Sequence, residues 1–160
     1  MKLLIPKARS LDRPVRWLYR GAYLGLRAKW RLLGGTTRGA LVAMRHKDSV
    51  MLVQNSYRRG MSFPGGYVHP DERPIEAARR EVLEEIGLDV TVDRLRQVFS
   101  RQYRFEDHDD TVDVFELLLD APIEVSTDRR EVLWAGFLPI SEAKRRIVVP
   151  HVRDYLDQAK

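Results

Sequence analysis

The chain has 160 residues, 44% of them apolar and 32% charged, with a formal charge of +5 and a pI near 9.7. That is the size and balance of one globular domain with enough Leu, Val and Ile for a single core. There is no cysteine, which excludes disulfides, thiolate metal sites and cysteine nucleophiles. No run approaches the roughly 18 apolar residues that a membrane-spanning helix needs. The basic balance favours an anionic partner, whether phosphate, nucleic acid or lipid, without choosing among them.

Residues 1–10 read as a basic lead. Asp12 and Pro14 have the character of a helix start, and a helical pattern runs to Leu33, where Gly34-Gly35 ends it. At about 100° per residue, Arg13, Arg16, Arg20, Arg27 and Arg31 fall in one narrow arc. Val15, Leu18, Tyr19, Ala22, Tyr23, Leu26, Trp30 and Leu33 occupy the broad opposite side, and only Lys29 breaks the pattern. Residues 1–33 hold nine of the 28 basic residues and one of the 23 acids, so this segment carries +8 and the rest of the chain −3. Gly21 and Gly25 lower its intrinsic helicity, so it needs a partner surface. Three surfaces compete. They are its own domain or a second copy (a homodimer), an anionic membrane surface, and RNA or another polyanion. Arginines interrupt any secretory apolar core, and the segment lacks the serines of an organelle presequence. The expected location is cytoplasmic, peripheral at a membrane if the helix binds lipid. The expected division is a helical extension over 1–35 and one folded domain over 36–160.

Thr36 to Arg45 and Ser49 to Asn55 read as two strands joined by a polar turn. Ser56 to Pro64 reads as a loop. Pro74 to Ile86 is a helix, with proline in its first turn and Gly87 at its end. Val90 to Phe105 and Thr111 to Leu119 are strand-like, separated by an acidic turn over 106–110. Glu131 to Leu138 is a further strand, and Ser141 to Arg146 and His151 to Gln158 are helices. Strands on both sides of a central helix give an α+β class, a mixed sheet between helices in an α/β/α sandwich.

Residues 65–88, GGYVHPDERPIEAARREVLEEIGL, carry the chemistry. Glu81, Glu84 and Glu85 are spaced i, i+3, i+4, so their carboxylates leave one face of the helix. Three like charges there destabilise an isolated helix unless a cation neutralises them. Oxygen-only ligands favour Mg²⁺, with Mn²⁺ able to substitute, over zinc. Such ions stabilise charge on phosphoryl oxygens and lower the pKa of bound water. Ile75, Ala78, Val82 and Ile86 form an adjacent apolar stripe that can seat the helix on a core. Gly65 and Gly66 allow a tight loop where backbone can approach a metal or phosphate.

This stretch resembles the Nudix box, G-x5-E-x7-R-E-U-x-E-E-x-G-U with U apolar. Gly66, Glu72, Arg80, Glu81, Val82, Glu84, Glu85, Gly87 and Leu88 fill every defining position. The resemblance implies a Nudix fold and an enzyme that cuts a phosphoanhydride bond in a nucleoside diphosphate linked to another group. It also implies that Glu81, Glu84 and Glu85 are metal ligands, with one of them a possible general base. The backbone carbonyl of Gly66 or its neighbour joins them, while Arg80 and Glu72 support the loop and orient the first carboxylate. Three flexible positions depart from many relatives, which have Glu at 69, Gly at 71 and a Ser or Thr cap at 73. Here these are His69, Asp71 and Arg73.

A fourth carboxylate is expected from outside the box. Glu131, three residues before Trp134, resembles the family's Glu-x-x-Trp strand start, with Asp128, Asp113 and Glu116 as the other candidates. Arg101, Tyr103 and Phe105 alternate along one strand face, suited to phosphate contact and base stacking, and equally to ordinary sheet packing. Tyr57, Arg58 and Arg59 precede the box on a loop, and Arg59, Arg101 and Tyr103 are the expected substrate contacts. Substrate candidates are nucleoside triphosphates, nucleotide sugars, dinucleoside polyphosphates and capped RNA. The rivals to a small-molecule hydrolase are an enzyme acting on RNA caps or 5′ ends and a non-catalytic nucleotide sensor. The intact carboxylate set argues against the sensor.

Overall fold

The computed structural model describes residues 12–106, 108–123, 125 and 131–159. Its elements are α1 (Asp12–Leu33), β1 (Thr36–His46), β2 (Ser49–Asn55), β3 (Gly65–Tyr67), α2 (Pro74–Ile86), β4 (Arg96–Phe105), β5 (His108–Leu118), β6 (Val132–Pro139), α3 (Ile140–Ala143) and α4 (Pro150–Gln158). The strands form one mixed sheet in the order β4-β5-β1-β2-β6, with β3 added to β1. β1 lies at its centre, parallel to β5 over ten paired residues from Thr36↔Asp109 to Arg45↔Leu118.

The core follows from the sequence of β1. A strand buried on both faces must be apolar at consecutive positions, and Ala40 to Met44 is such a run. Ala40, Val42 and Met44 meet Ala77, Ala78, Val82 and Ile86 of α2 on one face. Leu41 and Ala43 meet Ala143 of α3 and Val152, Tyr155 and Leu156 of α4 on the other. The mixed sheet between helices is the expected α+β arrangement.

Three local expectations change. The strand expected over Val90 to Phe105 begins at Arg96, because Val92–Arg94 closes a 3₁₀ turn with Leu95 N–H bonded to the Val92 carbonyl. The acidic turn is tighter than expected: Glu106 takes a left-handed φ of 52° and β5 resumes at His108. β3 lies within what reads as loop, since three residues with two glycines show no alternation.

The face of α1 that packs is narrower than the broad apolar side of its sequence. Tyr19, Tyr23, Leu26 and Trp30 turn towards the domain, whereas Leu18 (73% exposed) and Leu33 (78%) turn to solvent with Trp17, Leu24 and Leu32. Trp30 is buried and stacks on His108, with ring centroids 3.8 Å apart. Arg20 Nε donates to the Ser56 carbonyl at 2.9 Å. The basic lead of residues 1–10 and Asp128 lie outside the described residues.

Candidate active site

β3 and α2 bring the two halves of the box together. β3 pairs with the start of β1 through Ala40↔Gly66 and Leu41↔Gly65, which holds the glycines beside the carboxylate face of α2. A Cβ added at Gly66 would stand 2.6 Å from the Glu81 carboxylate, so only glycine lets backbone come this near. Glu85 Oε2 accepts from the Gly65 N–H at 2.9 Å.

Arg80 ties the loop between them. Its Nε donates to Glu72 Oε1 at 2.9 Å, and its Nη2 to Glu72 Oε2 at 3.0 Å and to the Tyr67 carbonyl at 2.9 Å. Its Nη1 reaches Glu81 at 2.6 Å and Glu84 at 3.4 Å. The Arg80 guanidinium, helped by the His69 N–H, lowers the Glu72 carboxyl to about 2. Burial raises the Glu81 carboxyl above its ordinary value despite Arg80. The box departures have local answers. Asp71 occupies a left-handed φ of 65°, the conformation that favours glycine in relatives. No side chain at Arg73 caps α2. Instead Glu76 accepts from the Arg73 N–H and pairs with its guanidinium at 2.7 Å.

These groups face a cleft of about 480 Å³. Gly65, Gly66, Arg80, Glu81, Glu84 and Glu85 line one side, together with His69, which is exposed at the rim. Glu131, at the approach to β6, lines the same cleft and accepts from the Tyr57 hydroxyl at 3.3 Å. Burial, then the Glu131 and Glu85 carboxylates, raise the Tyr57 pKa. Asp110, accepting from Thr37 Oγ1 at 2.7 Å, completes the acidic lining.

Other sequence candidates lie elsewhere. Asp113 is fully buried against Arg38 (2.7 Å) and Gln97 (2.9 Å), and Glu116 is buried with Arg96 and the Tyr155 hydroxyl, both at 2.6 Å. Neither borders the cleft. Arg101 and Tyr103 both bond to Asp154 of α4, at 2.9 and 2.8 Å, and Arg59 is exposed on its loop. None of these three lines the cleft, whereas their sequence neighbours Tyr57 and Arg58 do. The residues missed from sequence are Tyr19, Tyr23, His108, Asp110 and His151, which line the cleft from α1, β5 and α4. Aromatic residues at helical spacing read as packing, and no local signal marks which surface they cover.

Could the box hold a divalent cation? Among the described residues, no three Asp, Glu or His side chains already stand as a metal-holding group, because Arg80 and the Gly65 N–H engage Glu81 and Glu85. The donor set is nonetheless all oxygen, and the Gly66 backbone lies close to the Glu81 carboxylate. The donor types therefore suit a hard divalent ion, with Arg80 and the Gly65 N–H as present partners of Glu81 and Glu85.

Residues 35–158 match the family described as NUDIX domain. The chain belongs to this family. Among curated relatives, the NUDIX chain is 40% identical over 74 residues to diphosphoinositol polyphosphate phosphohydrolase 2 of Rattus norvegicus, covering 44% of this chain and 41% of that protein. It is 46% identical over 48 residues to an RNA pyrophosphohydrolase of Xylella fastidiosa (strain M12), covering 30% and 25%. The NUDIX chain thus spans less than half the length of these relatives. Its fold matches the MutT protein from Methanosarcina mazei Go1 with a TM-score of 0.67, at 18% identity, over 79% of this chain and 94% of that one.

Proposed function

We propose that this chain is a Mg²⁺-dependent pyrophosphohydrolase, with Mn²⁺ able to substitute, acting on a nucleoside diphosphate linked to another group. The observation that carries this reading is that Glu81, Glu84, Glu85, the Gly66 backbone and Glu131 all border one cleft. The Gly66 carbonyl and the three box carboxylates would hold the ion, which neutralises phosphate charge and acidifies a bound water. Arg80 fixes the loop and sets the orientation of Glu81. Glu131, steadied by Tyr57, serves as the fourth carboxylate and takes the proton of the attacking water.

The two curated relatives act, by name, on different molecules, so the shared box goes with the bond cut and not with the substrate. Charge in the cleft narrows the choice. Among the described residues it is lined by two arginines, Arg58 and Arg80, against the carboxylates of Glu81, Glu84, Glu85, Asp110 and Glu131. Arg58 is paired with Glu106, so Arg80 and a divalent ion are the positive charge offered, which suits one pyrophosphate unit. A ring bearing many phosphates would need more positive charge.

A panel of nucleoside triphosphates, nucleotide sugars, dinucleoside polyphosphates, capped and 5′-triphosphate RNA and a diphosphoinositol polyphosphate, assayed with Mg²⁺ and Mn²⁺, tests this reading. Turnover of a nucleotide that Glu84→Gln abolishes is the expected result. Full activity in Glu84→Gln would overturn the metal assignment. Binding of a nucleotide with no cleavage would favour the sensor reading.

The outer face of α1 supports a cytoplasmic protein that docks on an anionic membrane surface. Trp17, Leu18, Leu24 and Leu32 form an exposed apolar stripe, edged by the exposed Arg31 on one side and Lys29 on the other. Lys29, which breaks the sequence pattern, is the second border of this stripe. Sedimentation with phosphatidylserine vesicles at low salt, lost in Trp17→Ser/Leu24→Ser, is the expected result. Failure to sediment, with self-association or RNA retention instead, would overturn it.

A further inference from the structure

We infer that α1 is the specificity wall of the cleft, and that Tyr19 and Tyr23 grip a planar, uncharged group attached to the pyrophosphate. The inference rests on the hydrolase reading above and adds what that reading lacks, a surface for the part of the substrate that does not react. α1 lies before the family match at 35–158.

The helix is fixed over the cleft at three levels. Arg20 bonds to the Ser56 carbonyl, Tyr23 donates through its hydroxyl to Glu106, and Trp30 stacks on His108. Tyr19 and Tyr23 line the same cleft as Gly66 and Glu85. Tyr23 is also joined to the catalytic side. Its ring lies 4.8 Å from that of Tyr57, whose hydroxyl contacts Glu131. Arg58 sits 5.7 Å from the Tyr23 centroid and 5.9 Å from that of Tyr57, and its charge is paired with Glu106 at 3.0 Å. The wall is therefore aromatic and locally neutral, a surface for a flat group with a polar edge and not for a further phosphate.

The floor agrees. His151, at the first turn of α4, lines the cleft, is 4% exposed, and its Nε2 has no hydrogen-bond partner among the described residues. Burial lowers its pKa to about 3, so it stays neutral and can offer a hydrogen bond without a charge. A buried polar atom without a partner is costly unless a ligand or water satisfies it.

Calorimetric binding of ADP, GDP, UDP and inorganic pyrophosphate, each with Mg²⁺, tests the inference in the full chain. Tyr23→Ala should weaken the best-bound nucleotide by about tenfold or more, the scale of one lost stacking contact, and leave pyrophosphate binding unchanged. Tyr23→Phe should restore most of the loss, and His151→Leu should also weaken the nucleotide selectively. Leu33→Ala, exposed at the end of the same helix, should change neither. Equal weakening of nucleotide and pyrophosphate by Tyr23→Ala, or no weakening, would overturn the inference. So would native protein that binds pyrophosphate and none of the nucleotides. Native protein that binds nucleotides in this pattern but cleaves nothing in the panel would count against the hydrolase reading and leave the wall standing.

Discussion

Arg80 grips Glu72 at two points, 2.9 and 3.0 Å, and so closes the loop between β3 and α2 into one unit with the carboxylate helix. The pairing lowers the Glu72 carboxyl from 4.5 to about 2. A carboxyl lowered by folding stabilises the protein above its unfolded value, and that contribution is lost as pH falls towards the folded value. Glu72→Gln should therefore lower the thermal midpoint at pH 7. The gap to native protein should narrow as pH falls from about 4.5 towards 2. A gap unchanged across that range would disprove the assignment.

Gly65 and Gly66 are neighbours with different reasons for being glycine. At Gly65 φ is +141° and an added Cβ would lie 2.2 Å from the Ala40 carbonyl oxygen, a clash with backbone. Gly65→Ala should reduce folding stability, read as a lower urea midpoint. At Gly66 the three atoms nearest an added Cβ all belong to the Glu81 carboxylate, the end of a flexible side chain. Gly66→Ala should fold nearly as well as native protein yet lose about 10- to 100-fold in activity, the effect of disturbing a metal ligand's support. Equal stability loss in both variants would refute this division.

Bound divalent ion should be visible without turnover. A ligand that binds only folded protein raises stability by mass action, by about 2.7 kcal/mol at a hundred times its Kd. Millimolar Mg²⁺ should raise the melting temperature of native protein, and chelator should reverse the rise. Glu81→Gln should melt nearly independently of Mg²⁺. A rise of the same size in Glu81→Gln would place the ion elsewhere.

Asp113 is fully buried and its Oδ2 is held by Arg38, whose side chain is half-exposed. Removing the cation strands the buried carboxylate with only the Gln97 amide beside it among the bonds described. Arg38→Ala should cost about 1–3 kcal/mol, less than breaking a fully buried pair, because the half-exposed Arg38 is partly screened by solvent. Asp113→Asn, which removes the charge but keeps a hydrogen-bonding side chain, should cost less. Chemical denaturation of the two variants measures the order, and the reverse order would be incompatible with this pairing.

Much of the fold is legible from short-range signals. α2 runs from Pro74 to Ile86 as read, because proline at its first turn and glycine after its last residue are local punctuation. The apolar run and flanking turns of Ser49 to Asn55 likewise set β2. The box carboxylates and Glu131, proposed from their spacing, come to border one cleft. Tyr103 and Arg101 mislead for a physical reason. Alternation places them on one strand face, but only the position of α4 shows that both are engaged with Asp154 and stand away from the cleft. Tyr23 and His151 are invisible for the complementary reason: they reach the cleft from elements remote in sequence, and nothing local to either residue encodes that meeting.

The ten-residue parallel register between β1 and β5 joins positions 73 residues apart, as Thr37 and Asp110 show. Pairing of this kind carries a large loop-closure entropy and slows folding relative to structures with local contacts. Gly65, Gly66 and α2 all lie inside the loop that this pairing closes. Co-translationally, β5 must emerge before the centre of the sheet can form. The helix of the box can fold early, but the cleft it borders comes into being only with that late, long-range closure.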